Sequence, residues 1–168
     1  QVQAGNSSEL PRLSRQISTS ADMLRELFDS LLDISRLDVA GIRADIRPFA
    51  LNPMLEQLAS SFRNVAVDRQ QALVFRPTAL WVESDPALLE RILSNLIANA
   101  LRYTAPGGRI FVAVRRRGAN ALIEVRDNGC GIASEHHDAI FDEFYQVGNR
   151  ARQPQHGLGL GLSIVARL

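Results

Sequence analysis

Residues 109–127 read RIFVAVRRRGANALIEVRD. Two runs rich in β-branched side chains flank the turn Gly118-Ala119-Asn120, the pattern of a β-hairpin. A hairpin makes neighbouring strands antiparallel, which excludes a sheet built wholly from βαβ crossovers. Upstream, ALVFR (72–76) and LWVES (80–84) read as two more strands joined by a Pro77-Thr78 turn. GIRADIRPFAL alternates Ile42, Ala44 and Ile46 and reads as a short strand closed by Pro48.

Two helices are marked by the same local signal, an amide or carboxylate side chain followed by proline. Asn52-Pro53 predicts an N-cap and first helical residue for a helix with Leu55, Leu58, Ala59 and Phe62 on one face. Asp85-Pro86 repeats it and opens a helix that includes RILSNLIANALRYT (91–104). There Ile92, Leu93, Leu96, Ile97 and Ala100 follow the helical spacing of a buried face, while Arg91, Asn95, Asn99 and Arg102 share another. Asparagine competes with the helix backbone for hydrogen bonds, so two of them four residues apart point to a task outside the helix. Helices and strands in this mixed order predict an α+β fold, a two-layer α/β sandwich with a mixed, largely antiparallel sheet.

Before that domain, Leu10, Leu13, Ile17, Ser20, Leu24, Leu27, Leu31 and Ile34 keep a heptad spacing. It predicts one long helix that packs in a bundle or dimer, an amphipathic helix lying on its own domain being the alternative. After Asp127 the chain becomes glycine-rich, with DNGCGI (127–132) and GLGLGL (157–162). Glycines let backbone approach a ligand, and a glycine-rich run that opens a helix presents N–H groups to phosphate.

The 168 residues carry a net charge of +1 and are 46% hydrophobic, a composition for one sizeable core and no strong field toward nucleic acid. All 19 basic residues are arginine, so a Walker-type lysine is excluded. Cys130 is the only cysteine, which excludes an internal disulfide. No apolar run reaches the ~20 residues of a membrane helix, and a cytoplasmic setting is expected, with membrane anchoring of a longer chain left open.

Taken in order, an N box (Asn95 to Thr104), a G1 box (Asp127 to Ile132), an F box (Phe141-Asp142-Glu143-Phe144) and a G2 box (Gly157 to Leu162) resemble the catalytic, ATP-binding domain of sensor histidine kinases. The resemblance covers about residues 42–168 and implies a Bergerat-type fold. LLDISRLDVAG also resembles the second helix of that family's dimerisation and phosphoacceptor bundle. The division it implies is 1–40 as a partial dimerisation helix without the acceptor histidine, and 41–168 as a catalytic domain incomplete at its C-terminus. It implies ATP and Mg2+ as ligands, a homodimer through the bundle, and a response-regulator receiver domain as partner, with no nucleic acid.

Residue by residue, the resemblance assigns Asn99 to Mg2+ and Asn95 beside it toward the phosphates. Arg102 falls at a phosphate contact and Tyr103 at an aromatic against the adenine. Asp127 would accept from the adenine amino group, with Gly129, Gly131 and Ile132 shaping the pocket. Gly157, Leu158, Gly159, Leu160, Gly161 and Leu162 would bind the nucleotide, the glycines letting the end of the lid and the following helix N-terminus face the phosphates. Arg150 and Arg152 fall in the implied lid, with His156 beside the G2 box. Phe141 and Phe144 are expected to anchor the lid by burial, and His136 and His137 to lie on the surface of a short helix. In ATP-hydrolysing relatives a glutamate resembles the position of Asn95, and an amide is no general base near neutral pH. That favours phosphoryl transfer over hydrolysis, an ATPase and a non-catalytic binding module being the alternatives.

Overall fold

The computed structural model describes residues 44–147 and 159–168. The heptad segment and the lid positions Arg150, Arg152, His156, Gly157 and Leu158 lie outside the described residues.

Strand β1 spans Arg47–Ala50, β2 Ala72–Phe75, β3 Trp81–Ser84, β4 Arg109–Arg117 and β5 Asn120–Asp127. The helices are α1 (Leu51–Asp68), α2 (Pro86–Tyr103) and α3 (Gly161–Arg167). β4 and β5 form the expected hairpin, with Ile110 opposite Asp127 and Arg117 opposite Asn120. β2 lies parallel to β4, giving the order β2-β4-β5, while β1 and β3 pair antiparallel as a separate ribbon. The sheet is therefore mixed and mostly antiparallel, as the hairpin required.

β1 begins where the sequence pattern put its end. Pro48 sits inside it, opposite Glu83, a position open to proline because an edge strand has unpaired N–H sites. β2 and β3 are consecutive but unpaired with each other, since the Pro77-Thr78 segment carries the chain from one sheet to the other.

The two proline signals have different outcomes. Asp85 caps α2: its Oδ1 accepts from the N–H groups of Ala87 (2.9 Å) and Leu88 (3.1 Å), and Pro86 is the first helical residue. Asn52 is no cap. α1 has already begun at Leu51, whose N–H donates to the Leu80 carbonyl. The Asn52 amide instead accepts from the Thr78 N–H (3.1 Å) and donates to Glu56 (2.6 Å), pinning the β2–β3 connection to the helix.

At its far end α1 closes in a Schellman motif. Gln70 has φ +56°, its N–H donates to the Val67 carbonyl, and the Gln71 N–H donates to that of Ala66. α1 and α2 cover one face of the sheet. Met54, Leu55 and Leu58 of α1 meet Leu93, Ile97, Ala100 and Leu101 of α2 over Ile110 and Val112 of β4. Ile92 and Leu96 are only half-buried, and Leu101 takes the place expected for them. No described helix is long and apolar enough to cross a membrane.

Candidate nucleotide site

α2 carries both asparagines on a half-buried stripe beside its core face. Neither amide has a hydrogen-bonding partner among the described residues. Both face the start of α3: a Cβ built on Gly161 would lie 3.4 Å from Asn95 Oδ1, and 3.6 and 3.8 Å from the Asn99 amide nitrogen and oxygen. The fold thus brings the N box against the G2 box, 62 to 66 residues later in the chain.

The other end of α2 meets the G1 box. The Tyr103 carbonyl accepts from the Cys130 N–H (3.3 Å), and Gly129 passes so close that a Cβ there would be driven into the Tyr103 carbonyl oxygen. Asp127 Oδ1 accepts from the Gly129 N–H (2.9 Å), an Asx-turn that fixes the carboxylate and leaves Oδ2 for an outside donor. Asp127 and Tyr103 are exposed, the latter by 45%, at the rim of the site. Ile132 is also exposed, and a Cβ built on Gly131 would stand in open space.

The F box and the G2 box join through backbone. The Phe144 N–H donates to the Gly159 carbonyl (3.1 Å), and Gly159 has φ +74° with Tyr145 O only 2.8 Å from where its Cβ would stand. Phe141 and Phe144 are exposed by 44% and 62%, so their rings do not anchor this junction by burial as expected. Glu143 does so in part, through a 2.5 Å ion pair to Arg167 of α3. Leu160 is buried, so its side chain packs in the core while its carbonyl accepts from Ser163 Oγ (2.8 Å) and the Ile164 N–H. Leu162 and Arg102 are half-buried. His136 and His137 hold this segment: His136 Nδ1 lies 2.7 Å from the Tyr145 hydroxyl, and His137 Nε2 lies 3.0 Å from the Ile132 carbonyl. The short helix expected there is a 3-10 helix over Ser134–His136, with His137 directly after it.

Three supporting residues escape the sequence pattern. Asn128 accepts from the Arg109 N–H through Oδ1 (2.7 Å) and donates its own N–H to the Arg109 carbonyl, extending the hairpin ladder to the rim of the site. Gln71 and Arg69 both donate to the Leu101 carbonyl (3.0 and 2.9 Å), and Gln71 also donates to that of Thr104. These bonds satisfy carbonyls left open at the end of α2. The lone signal for them was a polar pair between a helix and a strand, which is common in any loop.

The donor set suits Mg2+ held jointly with phosphate oxygens. An amide oxygen is a hard, neutral ligand, and Mg2+ takes few protein groups. Among the described residues no three His, Cys, Asp or Glu side chains group as a metal cage, so a metal here would depend on the amides and on oxygens of a bound ligand.

The family model described as "Histidine kinase-, DNA gyrase B-, and HSP90-like ATPase" matches residues 84–168, just over half the chain. The chain is 34% identical over 153 residues to the sensor protein kinase PmrB of Pseudomonas aeruginosa, covering 91% of this chain and 32% of that protein. It is 31% identical over 167 residues to the sensor histidine kinase RppB of Synechocystis sp., covering 97% and 36%. It therefore spans about a third of the length of these curated relatives. Among solved structures, full-length ShkA in complex with AMPPNP is similar with a TM-score of 0.73 at 26% identity, over 99% of this chain and 34% of that one. The histidine kinase AdeS of Acinetobacter baumannii shares the fold at the same TM-score and 23% identity, over 99% and 74%.

Proposed function

The chain belongs to the histidine kinase-, DNA gyrase B- and HSP90-like ATPase family, and from that premise we propose that it is the ATP-binding kinase portion of a two-component sensor histidine kinase. The observation that carries this reading is the pair of unpartnered amides, Asn95 and Asn99, set against Gly161. Asn99 would hold Mg2+, which when bound offsets the charge of the phosphates. Asn95 would orient a phosphate oxygen without activating water, because an amide has no basic site near neutral pH. Arg102 would add charge on the same side. Asp127 would accept from the adenine amino group through Oδ2, its Oδ1 being engaged by Gly129, and Tyr103 would pack against the base.

With no general base in the N box, the task is to position the γ-phosphoryl group for a nucleophile brought from outside the domain. The two described histidines are engaged with Tyr145 and with the Ile132 carbonyl, so the acceptor in this reading is a histidine of the dimerisation bundle. Residues 41–168 then act as the catalytic domain and residues 1–40 as the bundle helix that makes the homodimer. A receiver domain of a response regulator would take the phosphoryl group onward.

The test is calorimetric titration of the chain with ATP, with and without Mg2+. Wild type is expected to bind more tightly with Mg2+, and Asn99→Ala to lose that gain, by about tenfold or more, at unchanged fold. Steady multiple-turnover hydrolysis without a histidine acceptor would sink the kinase reading in favour of an ATPase.

A further inference from the structure

Helices α1 and α2 cover one face of the β2-β4-β5 sheet, and no described element covers the other. Alternation along the strands puts Ile110 and Val112 on the helix side, both fully buried, and Phe111, Arg115 and Arg117 on the open side. In register, β5 adds Arg126 beside Phe111, and β2 adds Val74 beside it on the other flank. Arg109 opens the same face of β4, and Arg76, one residue past β2, lies with its guanidinium 5.8 Å from the centre of the Phe111 ring. Five of the chain's 19 basic residues thus stand on one face with one of its 18 acidic residues, Glu124. The net charge is only +1, so the rest of the chain is net negative and the asymmetry belongs to this face.

Glu124 does not cancel it. Its carboxylate is shared by Arg126 (2.6 Å) and Arg115 (3.0 Å), a triad that keeps a net positive charge. The hydrogen bond from Arg126, with the nearby charge of Arg115, holds its carboxyl below the usual range. Arg76, Arg109 and Arg117 have no carboxylate partner among the described residues. In the middle of these cations lie Val74, 46% exposed, and Phe111.

We propose that the open face of the β2-β4-β5 sheet is a docking surface for an acidic protein surface. Charge complementarity selects the partner. An apolar centre ringed by arginine is the composition of a protein interface, whereas single-stranded nucleic acid is gripped by exposed aromatic rings on which bases stack. Phe111 is half-buried under Arg76 and is not such a platform. β4 and β5, each nearly 30 Å long, and the four-residue β2 lie about 4.8 Å apart and present roughly 330 Å2. That is less than half of a standard interface per partner, which sets the complex among weak, salt-sensitive encounters.

The experiment titrates the chain with a fluorescent peptide rich in Glu and Leu, at low and at physiological salt, alongside duplex DNA and phosphatidylserine vesicles. Arg76→Glu/Arg117→Glu reverses two unpaired cations, touches neither the Glu124 triad nor the nucleotide site, and is expected to weaken peptide binding about tenfold or more. ATP affinity should not change, so the outcome is independent of the kinase assignment. Arg76→Gln/Arg117→Gln gives a smaller loss and decides the matter if the reversed pair fails to fold by circular dichroism. The proposal is overturned if the peptide does not bind at low salt, or if the variants bind it as wild type does. Tighter binding of DNA or vesicles than of peptide overturns it as well.

Discussion

Gly159 holds a backbone conformation that a side chain would strain. Its φ is +74°, and a Cβ would press on the Tyr145 carbonyl oxygen and the Phe144 backbone. Gly159→Ala is expected to lower stability by about 1–3 kcal/mol, measured by urea unfolding, and to weaken ATP binding, because the residue joins the F box to the G2 box. Gly161→Ala is the control. Its Cβ would find ordinary contact distances to Asn95 and Asn99, so stability should change little while the amides lose open space, and the nucleotide affinity should fall alone. The sequence marked both positions as glycine in a glycine-rich run and drew no such distinction. Only the backbone angle and the neighbouring atoms separate a glycine the chain itself requires from one whose open space the proposed nucleotide would use.

Helix starts show how far a local pattern reaches. Asp85-Pro86 and Asn52-Pro53 carry the same signal, yet only Asp85 caps, because α1 begins one residue before Asn52 on a hydrogen bond to the distant Leu80 carbonyl. Asp85 also accepts from the Asp45 N–H (2.8 Å). The backbone hydrogen bonds of Leu88 and Asp45 hold its carboxyl below the usual range. A depressed carboxyl stabilises the fold above its unfolded value, near 3.9, and that contribution fades as pH falls through the lower folded value. Asp85→Ala is therefore expected to lower Tm by a few degrees at pH 7, and the gap from wild type should narrow below about pH 4; a gap constant with pH would refute the charged cap. The run 91–104 marked the end of α2 to within a residue, but not what holds it. Its clamp is Gln71, which reaches Leu101 and Thr104 only because Gln70 turns the chain in a left-handed step that no glycine announces. Gln71→Met should remove both bonds and cost about 1–3 kcal/mol in urea unfolding, with weaker ATP binding as Tyr103 and the G1 loop loosen.

Across the whole molecule, the hairpin, the helix faces and the order of the boxes were legible because each is a short-range pattern with its own period or turn. What joins the boxes was not, since it rests on contacts of backbone with backbone: Gly129 on Tyr103, Gly159 on Phe144, Gly161 beside two amides. The exposed F-box rings show the cost of inferring burial from residue type alone, because Phe144 acts here through its N–H. The same arrangement has an energetic consequence. A ligand that touches Asn99, Asp127 and the G2 backbone at once binds only when α2, the hairpin end and α3 are all in place, so it must stabilise the assembled state and not one element. At a Mg·ATP concentration 100 times its dissociation constant, the gain is about 2.7 kcal/mol by mass action. Thermal unfolding should then show one transition displaced upward as a whole, and hydrogen exchange should slow together in 95–103, 127–131 and 161–167. Protection confined to one of these three segments would show that they do not form a single site. In Asn99→Ala the upward displacement should persist with ATP alone and no longer increase when Mg2+ is added.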